Sequence, residues 1–302
     1  MKGIINILKP PGMTSFDIIY FCRKVFEMKK IGHAGTLDPG AAGVLAVCLG
    51  RGTKVVPFLT DTRKAYRAEI TLGVETTTLD AFGEITKKAG EFSVNQEEVE
   101  KVLKEFIGEI EQIPPMYSAI KHNGKRLYKL ARQGKKVKRK PRKIDIYNID
   151  LVSFEGKKLI IDVECSKGTY IRTLCADIGK KLGIGAYMSF LVRTKVGKYS
   201  LSEALTLEEI ELLKKKDRIE ELVQPLDSAL THLRSIRVSE DANKTLKNGA
   251  YISLNQLADD LIQPPKVGEK FRVYDFDNNF IAVYAWYTSD DKNIFKPERV
   301  FV

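Results

Sequence analysis

Apolar residues run almost unbroken from Gly3 to Leu8 (GIINIL), and so short a run between polar flanks predicts a buried strand. The next residues, KPPGMTS, carry turn signals, with Ser15 placed to cap a helix over FDIIYFCRKVF. The first motif therefore lies on a strand-to-helix loop. Alternation in AYRAEITLGV sets Tyr66, Ala68, Ile70 and Leu72 on one face and predicts a strand. In SVNQEEVEKVLKEFIG, Val99, Val102, Leu103 and Phe106 recur at helical spacing behind a Ser93 cap. Two more strands are expected in KIDIYNIDLVSF and KLIIDVECS. A helix follows from about Tyr170 to Leu182, stopped by Gly183, and then a strand through YMSFLV. Strand segments cluster in runs and helices are not regularly interposed, so an α+β fold with a mixed or antiparallel sheet fits better than a doubly wound one. Near Leu233 the pattern changes: RVSEDANKTLKNGAYI reads as a short helix stopped at Gly249, and EKFRVYDFDNNFIAVYAWY as a hairpin turning at Asn278-Asn279. The expected organisation is a larger unit over residues 1–232 and a small β-rich module over 233–302, without an internal repeat.

Composition narrows the function. Fifty basic residues against 39 acidic give a net charge of +11, which suggests a polyanionic partner. The densest basic stretch, KHNGKRLYKLARQGKKVKRKPRK over 121–143, has too little apolar content to bury itself. Cys22, Cys48, Cys165 and Cys175 sit in apolar runs without C-x-x-C spacing, so buried thiols are expected. His33, His122 and His232 are too dispersed to imply a metal centre, and no phosphate-loop or dinucleotide fingerprint is present. No stretch approaches the roughly 18 apolar residues of a membrane span, and the expected compartment is the cytoplasm.

The stretch GHAGTLDPGAAGVL places one carboxylate, Asp38, before a proline in a glycine-containing loop. Such an Asp is by default a turn residue. It can instead act as a nucleophile if it stays ionised, which a neighbouring arginine favours by lowering its pKa. The candidate is Arg172 in CSKGTYIRTLCADIG, where a Gly-Thr turn puts Tyr170 and Arg172 near a helix start; a surface pair of Arg172 with Asp177 is the plain alternative. Sequence distance alone cannot join Arg172 to Asp38.

Seven stretches in order, ILKPPGMTS, GHAGTLDPGAAGVL, KAYRAEITLG, IPPMYSAIK, LYKLARQG, GTYIRTLCADIG and FLVRTKVG, resemble the TruB family of tRNA pseudouridine synthases. The likeness is close over about the first 200 residues and looser into a PUA-like RNA-binding module. It implies that Asp38 is the catalytic group and Arg172 its ionising partner. It also implies that Tyr66 stacks on the target uridine, that Tyr170 and Leu191 line the pocket, and that His33 occupies space in the vacated stack. The base would be flipped from the T arm of tRNA, cut from C1′, turned, and rejoined through C5 as pseudouridine at position 55. Whether Asp38 attacks C1′, attacks C6 or removes the C2′ proton stays open. Lys9 and Pro10 match the first motif, where a buttress for the catalytic loop is expected, with a phosphate contact by Lys9 as an RNA-facing alternative. Lys135, Lys136, Lys138 and Arg139 match an RNA-gripping insertion over about 121–143. The resemblance implies no cofactor and no metal, with tRNA as partner, and a monomer without an obligate protein partner. Phe82, in DAFGEI, departs from the smaller or polar residue of many relatives. Rival readings are a tRNA-folding chaperone, which an active enzyme could also be, and a uracil-releasing nucleosidase, which needs a further group to position water.

Overall fold

The computed structural model describes residues 1–289 and 292–301. Strand β1 (Gly3–Lys9) leads into helix α1 (Ser15–Val25). The cap is Thr14, one residue before the expected Ser15, because Thr14 and Asp17 form a reciprocal capping box. That frees the Ser15 hydroxyl, which bonds the backbone of Leu37 in both directions, accepting at 2.9 Å and donating at 3.2 Å. Short β2 (Ile31–His33) and fully buried β3 (Ala42–Leu49) follow, then α2 (Val56–Thr60) and β4 (Lys64–Leu72). In β4 every second residue from Lys64 to Leu72 is buried, as the alternation predicts.

A hairpin of β5 (Val74–Thr76) and β6 (Ile85–Lys88) precedes α3 (Gln96–Lys104), whose cap is Asn95, paired with Glu98, rather than Ser93. Strand β7 (Gly108–Gln112) is followed by the basic segment, which forms a two-residue ladder of β8 (Lys121–His122) and β9 (Lys125–Arg126) and helix α4 (Leu127–Ala131). The predicted strand pair becomes β10 (Arg142–Glu155) and β11 (Lys158–Cys165); α5 (Ile171–Lys181), β12 (Ala186–Val196), β13 (Tyr199–Ser200) and α6 (Leu207–Lys215) complete the larger part.

The main sheet runs β1-β3-β12-β4-β11-β10-β7, with β2 and β13 on its flanks. Its ladders are antiparallel except β3 with β12, where Gly43 faces Arg193. Gly43 has φ +114°, and a Cβ there would lie 2.2 Å from the Arg193 carbonyl oxygen, so only glycine admits this approach. One core joins α3, α5 and the sheet's centre, and it takes in Leu37, Ala41, Tyr66 and Leu191 around the Asp38 loop. Burying Leu37 and Ala41 on either side of Asp38 anchors that loop, with about 1.5–3 kcal/mol from the leucine.

The C-terminal residues form a second sheet from β14 (Arg234–Arg237), β15 (Ile252–Ser253), β16 (Lys270–Tyr274), β17 (Phe280–Ser289) and β18 (Lys292–Val300), in the order β14-β16-β17-β18-β15. The expected short helix is α7 (Asn243–Lys247), with Gly249 at φ +69° behind it, and Asn278 at φ +64° makes the predicted hairpin turn. Val283 and Phe301 of this part share a buried cluster with Ile4, Val44 and Tyr199 of the larger one. The α+β expectation, with a β-rich C-terminal part, is borne out. All four cysteines are buried free thiols. Among the described residues, no helix is long and apolar enough to cross a membrane.

Candidate active site

The loop after β2 carries Asp38, and the start of α5 carries Arg172. Tyr170 caps that helix, with its N–H donating to Gln112 Oε1 (2.8 Å) and its carbonyl accepting from Gln112 Nε2 (3.1 Å). This end of β7 therefore fixes where Arg172 starts. Arg172 Nε stands 2.9 Å from Asp38 Oδ2; the guanidinium side chain is 7% exposed while the carboxylate is 44% exposed. The cation is held and the anion faces outward. Arg172 Nη2 donates to the Tyr117 carbonyl (2.8 Å) and Nη1 to the Thr78 carbonyl (3.1 Å). Asp177 is not its partner.

Arg172 serves a second acid that the motif reading missed. Asp80 Oδ2 lies 3.4 Å from Nη1, and Asp80 is 12% exposed at its side chain. Its Oδ1 accepts from Thr78 Oγ1 (2.5 Å) and from the Phe82 N–H (3.1 Å). Asp80 thereby ties Arg172 to the turn that carries Phe82. Only a three-dimensional contact reveals it, because 92 residues separate it from Arg172.

Arg172 pulls the Asp38 pKa down as expected, but the net direction is upward. Burial is the largest cause, Arg172 and Lys9 oppose it, and Asp80 adds to it. The arginine favours the ionised form without offsetting the burial.

Lys9 is fully buried, and its ammonium donates to the carbonyls of Pro10 (2.8 Å), Met13 (2.6 Å) and Pro39 (3.3 Å). That satisfies three donors and corrects the RNA-facing alternative: this side chain cannot reach a phosphate. The buttress expectation fits, since Pro39 adjoins Asp38 and the Gly12 N–H also donates to its carbonyl (2.8 Å). Burial lowers the Lys9 pKa to about 8.

Arg193, another residue without an earlier assigned role, is 1% exposed. Its Nε donates to the Val44 carbonyl (2.8 Å) and Nη2 to the Gly35 carbonyl (3.0 Å), so it joins both ends of the Asp38 loop. Tyr66 lies directly opposite it across β4 and β12, and Leu191 lies opposite Ala68. Tyr66 is 8% exposed; burial raises its pKa, and Arg193 works against that rise. His33 is half-buried, with Nδ1 unpartnered; burial and then Arg193 lower its pKa, leaving a flat neutral ring at neutral pH. Tyr170 is half-buried, and burial raises its pKa as well. The fold thus gathers Arg172, Tyr66, Tyr170 and Leu191 around the loop that carries Asp38, with His33 on the strand that leads into it.

The insertion residues lie outside this cluster. Lys135, Lys136 and Lys138 are exposed, whereas Arg139 is half-buried and donates from Nη1 to the Pro114 carbonyl (3.0 Å). Arg139 thereby braces the segment through one of its donors. Among the described residues, no group of three or more His, Cys, Asp or Glu side chains could hold a metal ion.

A model of the TruB family pseudouridylate synthase N-terminal domain matches residues 23–171, and one of the tRNA pseudouridylate synthase B C-terminal domain matches 172–231. The chain is 49% identical over 274 residues to a tRNA pseudouridine synthase B of Alkaliphilus oremlandii, covering 91% of this chain and 90% of that one. It is 45% identical over 305 residues to one of Oceanobacillus iheyensis, covering 100% and 98%. Among solved structures, a Cbf5-Nop10-Gar1 complex matches with TM-score 0.79 at 29% identity, covering 99% of this chain and 85% of the other. An H/ACA ribonucleoprotein bound to a substrate RNA containing 2′-deoxyuridine matches with TM-score 0.77 at 26% identity, covering 99% and 85%.

Proposed function

Because the chain belongs to the TruB family of pseudouridylate synthases, which isomerise uridine to pseudouridine in tRNA, we propose that it acts at position 55 of the T arm with Asp38 as its catalytic group. The observation that carries this is the outward-facing Asp38 carboxylate held at 2.9 Å by a buried Arg172. The T-arm position is supported by the motif resemblance.

The reaction breaks N1–C1′ and forms C5–C1′; the C5 hydrogen leaves as a proton and N1 gains one, so composition is conserved. The freed uracil is the returning nucleophile, and one ionised carboxylate suffices where hydrolysis would use two. Asp38 in its ionised form attacks the substrate or removes a proton from it, and Arg172 keeps its oxygen aimed. Tyr66 offers a ring for stacking, Leu191 an apolar wall and Tyr170 a further one, while His33 fills the stack that the flipped uridine vacates. Exposed Lys135, Lys136 and Lys138 grip phosphates without reading sequence. Residues 1–232 form the catalytic domain, with its insertion at about 121–143, and 233–302 a PUA-like RNA-binding domain. The protein works as a cytoplasmic monomer.

The test is tritium release from tRNA transcript labelled with [5-³H]uridine, for the wild type and Asp38→Asn. Release by the wild type alone is expected. Equal release by both would remove Asp38 from its role, and tight binding without release by either would leave tRNA folding as the function.

A further inference from the structure

One exposed aromatic ring stands against the catalytic loop. Phe82 is 79% exposed, yet its ring rests on Gly40: a Cβ built there would lie 2.1 Å from Phe82 Cε2 and 2.5 Å from Cζ. Gly40 is two residues past Asp38, so their Cα atoms lie within about 7.6 Å. The turn that carries the ring is closely tied. Besides the two bonds to Asp80 Oδ1, the Thr76 hydroxyl donates to the Asp80 carbonyl (2.8 Å), and the Thr77 N–H donates to the Glu84 carbonyl (2.9 Å). Through Asp80, the backbone that carries the ring is linked to the guanidinium that holds Asp38. Single exposed apolar side chains are ordinary. This one differs in standing on a built turn beside the reacting group, with its ring lying where a Cβ on Gly40 would meet it.

We propose that Phe82 is a substrate-positioning residue whose open face stacks on a nucleobase adjacent to the target uridine. The inference rests on the reading of the protein as an isomerase of uridine in tRNA. Removing a base from its stack leaves each neighbour bare on one side. A ring carried on a tied turn replaces that lost contact at the ordering cost of little more than its own rotamer. Every base presents a flat face, so the contact strengthens binding without demanding a sequence.

The test uses the full-length protein and T-arm hairpins, one labelled with [5-³H]uridine and two others carrying 2-aminopurine on one or the other side of the target. For Phe82→Ala, KM rises about 5- to 140-fold while kcat stays within about twofold. Wild-type protein quenches the 2-aminopurine in one of the two hairpins, and Phe82→Ala does not. Phe82→Tyr keeps both properties, whereas Phe82→Leu behaves like the alanine variant because it retains apolar area without a π face. Unchanged KM and quenching in Phe82→Ala would overturn the proposal. A wild-type-like Phe82→Leu would do so too, by reducing the contact to general packing. So would a fall in kcat at constant KM, which would mean that the ring acts by holding Asp80. Failure of the wild type to release tritium would instead overturn the isomerase reading.

Discussion

Around Asp38 each charge has an assigned place: Arg172 is nearly buried between two carboxylates, and Lys9 and Arg193 spend their donors on backbone carbonyls. Between Lys121 and Lys143 most cations are exposed, Arg139 and Lys143 being tied to Pro114 and Glu109, and Lys135, Lys136 and Lys138 have no acidic partner among the described residues. Burial makes charge positional, and exposure makes it additive. In the first region geometry carries the effect and salt matters little; in the second, number carries it and salt screens it.

The comparison breaks most sharply at Arg172. Arg172→Lys keeps the charge and loses the planar fork, so turnover should fall at least about a hundredfold with tRNA binding largely retained. Arg172→Ala should also cost about 3–5 kcal/mol of folding stability, because Asp80 is left buried without its cation. Single-turnover kinetics and urea titration separate the two effects, and near-normal turnover by the lysine variant would show that point charge is enough.

A smaller effect is expected from replacing Lys135, Lys136 and Lys138 together by alanine. KM should rise about tenfold at low salt with kcat kept, and the slope of log KM against log salt should flatten by up to about 2–3. An unchanged slope would mean that these lysines touch no phosphate.

The smallest shift concerns pH. In the proposed role Asp38 acts ionised, and its pKa in the free protein is raised above the ordinary 3.8, so kcat/KM should fall as pH drops through that raised value, before an ordinary carboxylate would titrate. Asp80→Asn removes one of the raising charges and should move this acid limb to lower pH. A pH profile of both proteins between about pH 4 and 8 checks the direction; a limb that moves upward would show that Asp80 does not oppose ionisation of Asp38.

Much of this was legible along the chain. Alternation in β4, the hairpin at Asn278 and the stops at Gly183 and Gly249 are local signals, and local physics enforces them. The pairing of Asp38 with Arg172 came through ordered motifs rather than spacing. Caps were misplaced by one or two residues at Thr14 and Asn95, since several adjacent polar residues compete for one role and only the reciprocal acid three positions on decides. Asp80 and Arg193 were invisible because each acts through partners far away in sequence. Lys9 was legible as a buttress, but a lysine's burial depends on which carbonyls the fold turns toward it.

Arg193 has a further consequence. By grasping the carbonyls of Gly35 and Val44 it closes the residues between them into a ring, as a disulfide would, while the four thiols of the chain take no part. Such a clasp forms without an oxidant, and because both acceptors are backbone carbonyls it holds the loop whatever side chains the loop carries.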